Sequence, residues 1–333
     1  MKKVLSLILA LAMVFALAAC GEKQPSNDGN TDGDKPARGN VIMTFGTADT
    51  GGSMYPAGAA VSQVWTNNVQ GVKCNTQTST GSFQNCQDVS TGEVDVAVAT
   101  SDVVLNAYNG TGKFADIGKL DNLRVIGAVY TSVLSGVALK SSGLTYIHDL
   151  LGKRVAVGPA ASATENATLA AFGVMGIDSS NTSLENLGLG DGADSVGDGI
   201  LDAAFGFAGL PIGGQLNLAA TKEIQVLDMT QEEIDKVLAG NAAYIQTKIP
   251  AGTYTGQDND ANTFGVKCLI IVTADMDADL VYDLCKAMNE HTEELAAGNA
   301  LLKDMTDPSF LCTQMPIPLH DGAQKYYSEQ GLI

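Results

Sequence analysis

The same local unit, an apolar strand followed by a loop of small residues and then by a helix, is predicted twice along this chain of 333 residues. In the first unit the strand is Val41–Phe45, the loop is Gly46–Pro56 and the helix begins at Met54. In the second unit the strand is Arg154–Gly158, and the loop Pro159–Ala163 leads into a helix. Such loops expose backbone N–H groups at a helix N-terminus, where negatively charged ligand groups are favoured.

A further predicted strand follows each unit. Gly92–Val98 begins 46 residues after Gly46, and Gly199–Phe205 begins 41 residues after Gly158. The same order of elements at a similar spacing predicts two α/β lobes of like topology. Two lobes that each direct a helix N-terminus at the other form a cleft for a small ligand.

Open parallel sheets bind ligands at the carboxyl ends of their strands, so we predict that the residues there line the cleft. Turn formation, helix capping and packing are the alternative roles of these residues. The predicted wall of the first lobe consists of Thr50, Gly51, Gly52, Ser53, Tyr55, Thr80, Gly81, Ser82, Asn85, Ser101 and Asp102. The predicted wall of the second lobe consists of Ser162, Thr164, Glu165 and Phe207. Tyr130, at the first crossing between the lobes, is predicted to present its ring and hydroxyl to the ligand.

Motifs of catalysis and metal binding are missing from the sequence. The histidines are His148, His291 and His320, and none has the spacing of a metal site. The sequence contains no Gly-x-Ser-x-Gly elbow and no Walker A motif, and Gly188–Gly192 lacks the spacing of a dinucleotide loop. We therefore predict a binding protein that is not an enzyme and that has no catalytic residue, metal or cofactor.

The charges of the chain limit the classes of partner that it can bind. Its formal net charge of −18 argues against nucleic acid and against docking on anionic lipid. Arg38 lies outside the predicted lobes, and Arg124 and Arg154 lie at the starts of predicted strands, so no arginine is expected in the cleft. An anionic ligand would then be held by backbone N–H groups, hydroxyls and helix N-termini.

The N-terminus has the pattern of a bacterial lipoprotein. Lys2 and Lys3 precede the apolar run Val4–Ala18, and Leu17–Cys20 matches a lipobox. Residues 1–19 are therefore predicted to be a signal peptide, and residues 20–40 a polar tether lipidated at Cys20. The protein is expected outside the cytoplasm, anchored to the bacterial cell membrane by lipid alone.

Five cysteines remain besides Cys20, and none forms a Cys-x-x-Cys motif. Their apolar contexts favour small buried hydrophobic residues. A disulfide between Cys74 and Cys86, or between Cys268 and Cys285, is the alternative.

Seven segments that follow one another from Val41 to the C-terminus resemble one known family. They are Gly46–Pro56, Thr80–Asn85, Gly92–Asp102, Tyr108–Gly112, Gly152–Gly158, Ile249–Asp258 and Pro316–Tyr327. Together they resemble the TAXI-type solute-binding proteins of tripartite ATP-independent periplasmic (TRAP) transporters. The resemblance implies an α/β fold of the periplasmic-binding-protein-like class II, with two lobes joined by two hinge strands. Residues 41–132 and 267–333 would form lobe 1, and residues 133–266 would form lobe 2.

The family resemblance also implies a function. A monomeric receptor would bind a small carboxylate such as glutamate or 2-oxoglutarate and deliver it to TRAP-type permease subunits in the membrane. Tyr254 lies in a segment, Pro250–Tyr254, that resembles a family motif, and it is a further candidate ligand-binding residue. The family usually has more glycine where this chain has Ala160–Ala163, which adds methyl groups near the ligand.

Two alternative functions belong to other classes. One is a ligand-sensing lipoprotein that signals to a membrane receptor, and the other is a degenerate hydrolase or transferase. For the receptor, crossings near Ala128–Ser135 and Phe264–Lys267 predict a hinge, with a ligand that favours the closed form.

Overall fold

The computed structural model describes residues 39–50 and 52–333. The predicted signal peptide, the lipidated Cys20, most of the tether and the ligand-binding candidate Gly51 lie outside this range. Among the described residues, no helix is both long and apolar enough to cross a membrane.

Ten strands of the described residues form one hydrogen-bonded sheet. They are β1 (Val41–Gly46), β2 (Val72–Gln77), β3 (Val96–Thr100), β4 (Leu123–Leu139), β5 (Arg154–Ala156), β6 (Ser183–Glu185), β7 (Ala203–Ala208), β8 (Ile224–Val226), β9 (Ile245–Ile249) and β10 (Ala261–Thr273). Their order is β2-β1-β3-β10-β4-β7-β5-β6, while β8 pairs with β4 and β9 pairs with β10.

The strand order is mirrored about the centre of the sheet. β1 pairs in parallel with both β2 and β3, and β5 pairs in parallel with both β6 and β7. In each trio the first strand in the chain is therefore central and the third is nearest the middle of the sheet. We call the part that contains β1–β3 the first lobe and the part that contains β5–β7 the second lobe. The predicted likeness of the two topologies is confirmed.

Two long antiparallel strands join the lobes. β4 has 17 residues and β10 has 13, and their register runs from Gly265 opposite Val133 to Thr273 opposite Leu123. β10 also pairs with β3 of the first lobe, and β4 pairs with β7 of the second. The two predicted crossings thus correspond to these two strands.

Helices cover the faces of the sheet. They are α1 (Met54–Asn68), α2 (Ser82–Thr91), α3 (Ser101–Asn109), α4 (Ala163–Val174), α5 (Leu189–Gly197), α6 (Gly213–Thr221), α7 (Gln231–Gly240), α8 (Ala278–Glu290), α9 (Thr292–Gly298), α10 (Pro308–Cys312) and α11 (Asp321–Glu329). The sequence pattern of Leu280–Leu295 predicts one long helix, and this prediction is wrong, because the segment forms parts of two helices, α8 and α9. The chain leaves helical geometry at His291, whose φ of −116° and ψ of 20° separate α8 from α9.

The core is built from the strands' apolar side chains. All five residues of β3 are buried, as expected for a strand covered on both faces. In the first lobe Trp65 is fully buried, stacks on Phe45 at 5.4 Å between ring centroids, and donates its indole N–H to the carbonyl of Leu284. The five described cysteines are buried and free, which agrees with their prediction as small hydrophobic residues.

Candidate functional site

A small cavity lies between the lobes, at the carboxyl ends of the parallel strands. Its walls leave about 40 Å³ in which the centre of a water molecule can move, enough for a compact ligand or a few waters. From the first lobe and the crossing strand it is lined by Ala48, Asp49, Gly52, Ser53, Met54, Thr80, Gly81, Ser82 and Tyr130. From the second lobe it is lined by Pro159, Ser162, Ala163, Thr164, Leu189, Phe207 and Ala208.

Four helices begin at this cavity. Their first residues, Met54 of α1, Ser82 of α2, Ala163 of α4 and Leu189 of α5, all line it. The first-turn N–H groups of a helix have no partner within the helix. In α1, α2 and α5 the residue at the N-cap position makes no side-chain capping hydrogen bond. The cavity therefore receives the positive ends of four helix dipoles, two from each lobe.

The hydroxyl groups in the wall are oriented by backbone donors. The N–H of Thr100 donates to Ser82 Oγ at 3.1 Å, and the N–H of Glu165 donates to Ser162 Oγ at 3.1 Å. In the same way, the N–H of Phe207 donates to Thr164 Oγ1 at 3.1 Å. Since each oxygen already accepts a hydrogen bond, its own hydrogen remains to be donated. The wall thus offers hydrogen-bond donors to a ligand.

Tyr130 contributes a buried ring to the wall. It is 1% exposed and lines the cavity, and its hydroxyl has no hydrogen-bond partner among the described residues. The neighbouring Ser132 Oγ and Cys268 Sγ lie 2.9 Å apart and pair with each other. Burial, followed by the proximity of Cys268, raises the pKa of Tyr130 well above 10, so the hydroxyl keeps its proton. A buried donor without a partner is costly unless a ligand or water accepts from it.

The charged residues of the wall are few. None of the described residues that line the cavity is Lys, Arg or His, and Asp49 is the carboxylate among them. An Asp49 oxygen lies about 3.5 Å from where a Cβ on Gly188, at the start of α5, would stand. A bound anion would consequently be held by dipoles and hydroxyls rather than by a cation.

Nine of the predicted residues line the cavity together, and the others lie elsewhere. Those at the cavity are Gly52, Ser53, Thr80, Gly81, Ser82, Tyr130, Ser162, Thr164 and Phe207. Gly81 has a φ of 115°, a conformation that favours glycine, and a Cβ there would stand 3.7 Å from Ser162 Cβ. Thr50 lies in an adjoining groove that shares Gly52 and Ser53 with the cavity. Tyr55 is half-buried, away from both.

Three other predicted residues do not line the cavity, and two of them have internal partners instead. The Asn85 amide donates to the carbonyls of Thr47 and Val98 at 2.6 and 2.7 Å. The Tyr254 hydroxyl accepts from the N–H of Ile212 and donates to Gln215 in the core of the second lobe. Ser101 lines a different groove, beside Lys267.

Asp102 links the lobes on one flank of the cavity. It is fully buried at the start of α3, and its Oδ2 accepts from the Asn166 amide at 2.9 Å and from the Tyr244 hydroxyl at 3.2 Å. Both donors belong to the second lobe. Burial raises the pKa of Asp102, and the hydrogen bonds that it accepts offset part of that rise.

Glu165 also forms a contact between the lobes. Its Oε2 pairs with Lys113 of the first lobe and accepts from the N–H of Ala161. Burial raises the pKa of Glu165, but Lys113 and the hydrogen bonds from Ala161 and Asn186 lower it more in sum. Ala161 has a positive φ of 60°, a conformation that favours glycine.

The opposite flank is held by close packing. Ser53 Oγ donates to the carbonyl of Gly209 in the second lobe at 3.0 Å. A Cβ on Gly209 would overlap Leu301 Cδ1 and stand 3.1 Å from Tyr130 Cδ2. The two lobes therefore approach each other here because Gly209 has no side chain.

Several wall residues were not predicted. Asp49 and Met54 lie inside the first loop–helix unit, but they are neither glycines nor hydroxyl residues. Leu189 follows Gly188, in a segment whose glycine spacing is not that of a dinucleotide loop. A glycine between a strand and an amphipathic segment could have indicated a fourth helix N-terminus. The described residues contain no group of three or more His, Cys, Asp or Glu that could hold a metal.

Comparisons with known proteins agree with this architecture. The model of the NMT1-like family matches residues 45–331. The alkanesulfonate-binding protein SsuA from Xanthomonas axonopodis pv. citri, bound to MOPS, is 14% identical with a TM-score of 0.50 over 88% of this chain and 85% of that one. PhnD1 from Prochlorococcus marinus (MIT 9301), in complex with methylphosphonate, is 11% identical with a TM-score of 0.52 over 88% of this chain and 99% of that one. At these identities the likeness shows the fold, and the predicted two-lobe binding-protein architecture is confirmed.

Proposed function

The chain belongs to the NMT1-like family, and we propose that it is an extracytoplasmic solute receptor that captures a small organic anion and delivers it to a membrane permease. The observation that carries this proposal is the convergence of four helix N-termini, two from each lobe, on one cavity. Both structural neighbours are named for oxyanion ligands, an alkanesulfonate and methylphosphonate. Binding without turnover is sufficient for this role.

The class of transporter and the anchor are finer parts of the proposal. The ordered segments that resemble TAXI-type proteins support a TRAP permease as partner and a small carboxylate as ligand. The lipobox that ends at Cys20 supports a lipid anchor. The proposed division of the lobes is residues 41–132 with 267–333 for the first and residues 133–266 for the second. Metabolic labelling with a fatty acid tests the anchor, since label that persists in Cys20→Ala would contradict it.

A matched pair of tyrosine variants tests the ligand site. Tyr130→Phe removes a hydroxyl that has no protein partner, so the melting temperature of the empty protein should change little. The affinity for the native ligand should fall about tenfold or more, because a hydrogen bond to a charged group contributes about 1.5–3 kcal/mol. Native mass spectrometry of the purified protein identifies the co-purified ligand, and calorimetry then measures its affinity.

Tyr254→Phe is the matched control. Its hydroxyl pairs with Ile212 and Gln215 rather than facing the cavity, so this variant should lose stability without ligand. A loss of stability in Tyr130→Phe equal to that in Tyr254→Phe, with ligand affinity unchanged, would contradict the proposed site.

A further inference from the structure

The cavity has a hydrogen-bonding surface and an apolar surface, and together they indicate which class of anion it binds. Resting on the proposed function, we propose that the ligand carries one anionic group on a compact apolar body, and that a second anionic group is rejected. Three features of the cavity support this: the placement of the donors, the character of the remaining wall, and the sign of the charge in it.

The donors form one set at the helix N-termini. The spare hydroxyl hydrogens belong to Ser82, Ser162 and Thr164, each in the first turn or at the cap of α2 or α4. A Cβ built on Gly81, which precedes Ser82, would lie 3.7 Å from Ser162 Cβ in the other lobe. The donors of the two lobes therefore lie close together, and Tyr130, buried beside them, carries a hydroxyl without a partner. One oxyanion group has enough lone pairs to accept from this set.

Much of the remaining wall is apolar. It includes the side chains of Met54, Leu189 and Phe207, together with the small residues Pro159, Ala163 and Ala208. The methyl groups of Ala163 and Ala208 extend this surface. Apolar surface favours a hydrocarbon body and gives no hydrogen bond to a second charged group.

The charge in the wall also disfavours a second anionic group on the ligand. No lysine or arginine is among the described lining residues, and Lys113 is paired with Glu165 outside the cavity. The Asp49 carboxylate lines the wall beside Gly188 at the start of α5, where it offsets the positive end of that helix dipole and repels a second anionic group.

Pairs of acids that differ by one carboxylate test the inference. Butanoate is compared with succinate, and 2-oxopentanoate with 2-oxoglutarate, by calorimetry at neutral pH on the purified protein freed of co-purified ligand. The expected result is that each monoanion binds about tenfold or more tightly than its dicarboxylate partner. Tighter binding of the dicarboxylates would overturn the inference and leave the proposed function standing. Binding of none of the four acids would count against the proposed function itself.

Asp49→Asn provides a second readout. This variant keeps an accepting oxygen but removes the charge, so the affinity ratio of monoanion to dicarboxylate should fall about threefold or more. Asp194→Asn, on the exposed side of α5, removes a charge away from the cavity and should leave the ratio unchanged. A ratio that is the same in Asp49→Asn as in the original protein would overturn the role given to Asp49, and with it the charge argument.

Discussion

The two flanks of the cavity hold the lobes together in different ways. On the polar flank, Asp102 and Lys113 of the first lobe contact Asn166, Tyr244 and Glu165 of the second. On the packed flank, Ser53, Leu301 and Tyr130 meet Gly209. Water can replace the partners of a polar group when the lobes separate, but an added atom in a close-packed contact must displace its neighbours. Closure should therefore be sensitive to volume on one flank, and to pH and salt on the other.

The largest effect on ligand affinity is expected from Gly209→Ala. The added methyl group would overlap Leu301 and crowd Tyr130, and overpacking costs about 1–3 kcal/mol. If that cost falls on the closed form, the affinity for the native ligand should drop by roughly five- to 150-fold. Calorimetry measures the affinity. X-ray scattering should show a smaller decrease in the radius of gyration on adding ligand than in the original protein.

Gly240→Ala is the control for this prediction. A Cβ at Gly240 meets no atom within 4 Å, so neither affinity nor scattering should change. If Gly209→Ala behaved like Gly240→Ala, close packing would not be what limits closure on that flank.

A smaller effect on ligand affinity, which depends on pH, is expected from the titration of Asp102. Burial raises its pKa from 3.8, and separation of the lobes would return it towards that value. The closed form then binds the proton more tightly, so closure is favoured most below about pH 4 and loses this contribution as pH rises through the raised pKa. Ligand affinity should fall over that range by at most about tenfold per pH unit, the limit for one proton.

Glu165, on the same flank, has a lowered pKa and so favours closure as pH rises, opposite to Asp102, but the titratable groups nearest Asp102 do not change charge in this range. Burial raises the pKa values of Tyr244, Cys86 and Cys268, which stay neutral. Asp102→Asn should therefore flatten the pH dependence while keeping an acceptor for Asn166 and Tyr244. An equal slope in this variant would show that another group is responsible.

The smallest effect is expected from the ion pair on the polar flank. Lys113 and Glu165 have side chains that are 39% and 14% exposed, and pairs near the surface contribute about 0.2–1 kcal/mol. Lys113→Met should weaken ligand binding by less than about fivefold, and the difference should shrink as salt is added. Lys119→Met, a nearby exposed position, is the control. A salt-independent loss in Lys113→Met alone would indicate a packing role for the lysine stem.

The sequence predicts the lobes better than the contacts between them. Strands such as Val41–Gly46 and Val96–Thr100 have local apolar patterns, and the loops that follow them carry the small residues of helix starts. Their repetition was enough to predict the mirrored topology. The three-residue strand Ser183–Glu185 has no apolar run, so the cavity wall that follows it at Leu189 was missed.

Partners across the lobes could not be predicted in this way. Asp102 and Glu165 lie where ligand contacts are expected, yet their carboxylates bind residues of the opposite lobe. Asp102 meets Tyr244 across 142 positions of the chain, and no local pattern encodes that pairing. Tyr254 likewise lies in a motif-like segment, but its ring and hydroxyl belong to the core beside Gln215.

The burial of Trp65 has an optical consequence. It is the chain's one tryptophan, and it lies in the first lobe against Phe45 and Leu284, away from the residues that line the cavity. Its emission should respond to melting of that lobe and remain nearly constant while ligand enters. A fluorescence titration of the unaltered protein would then record no binding even at saturation. A single tryptophan placed at exposed Leu216, in a Trp65→Phe background, would give the second lobe a chromophore of its own.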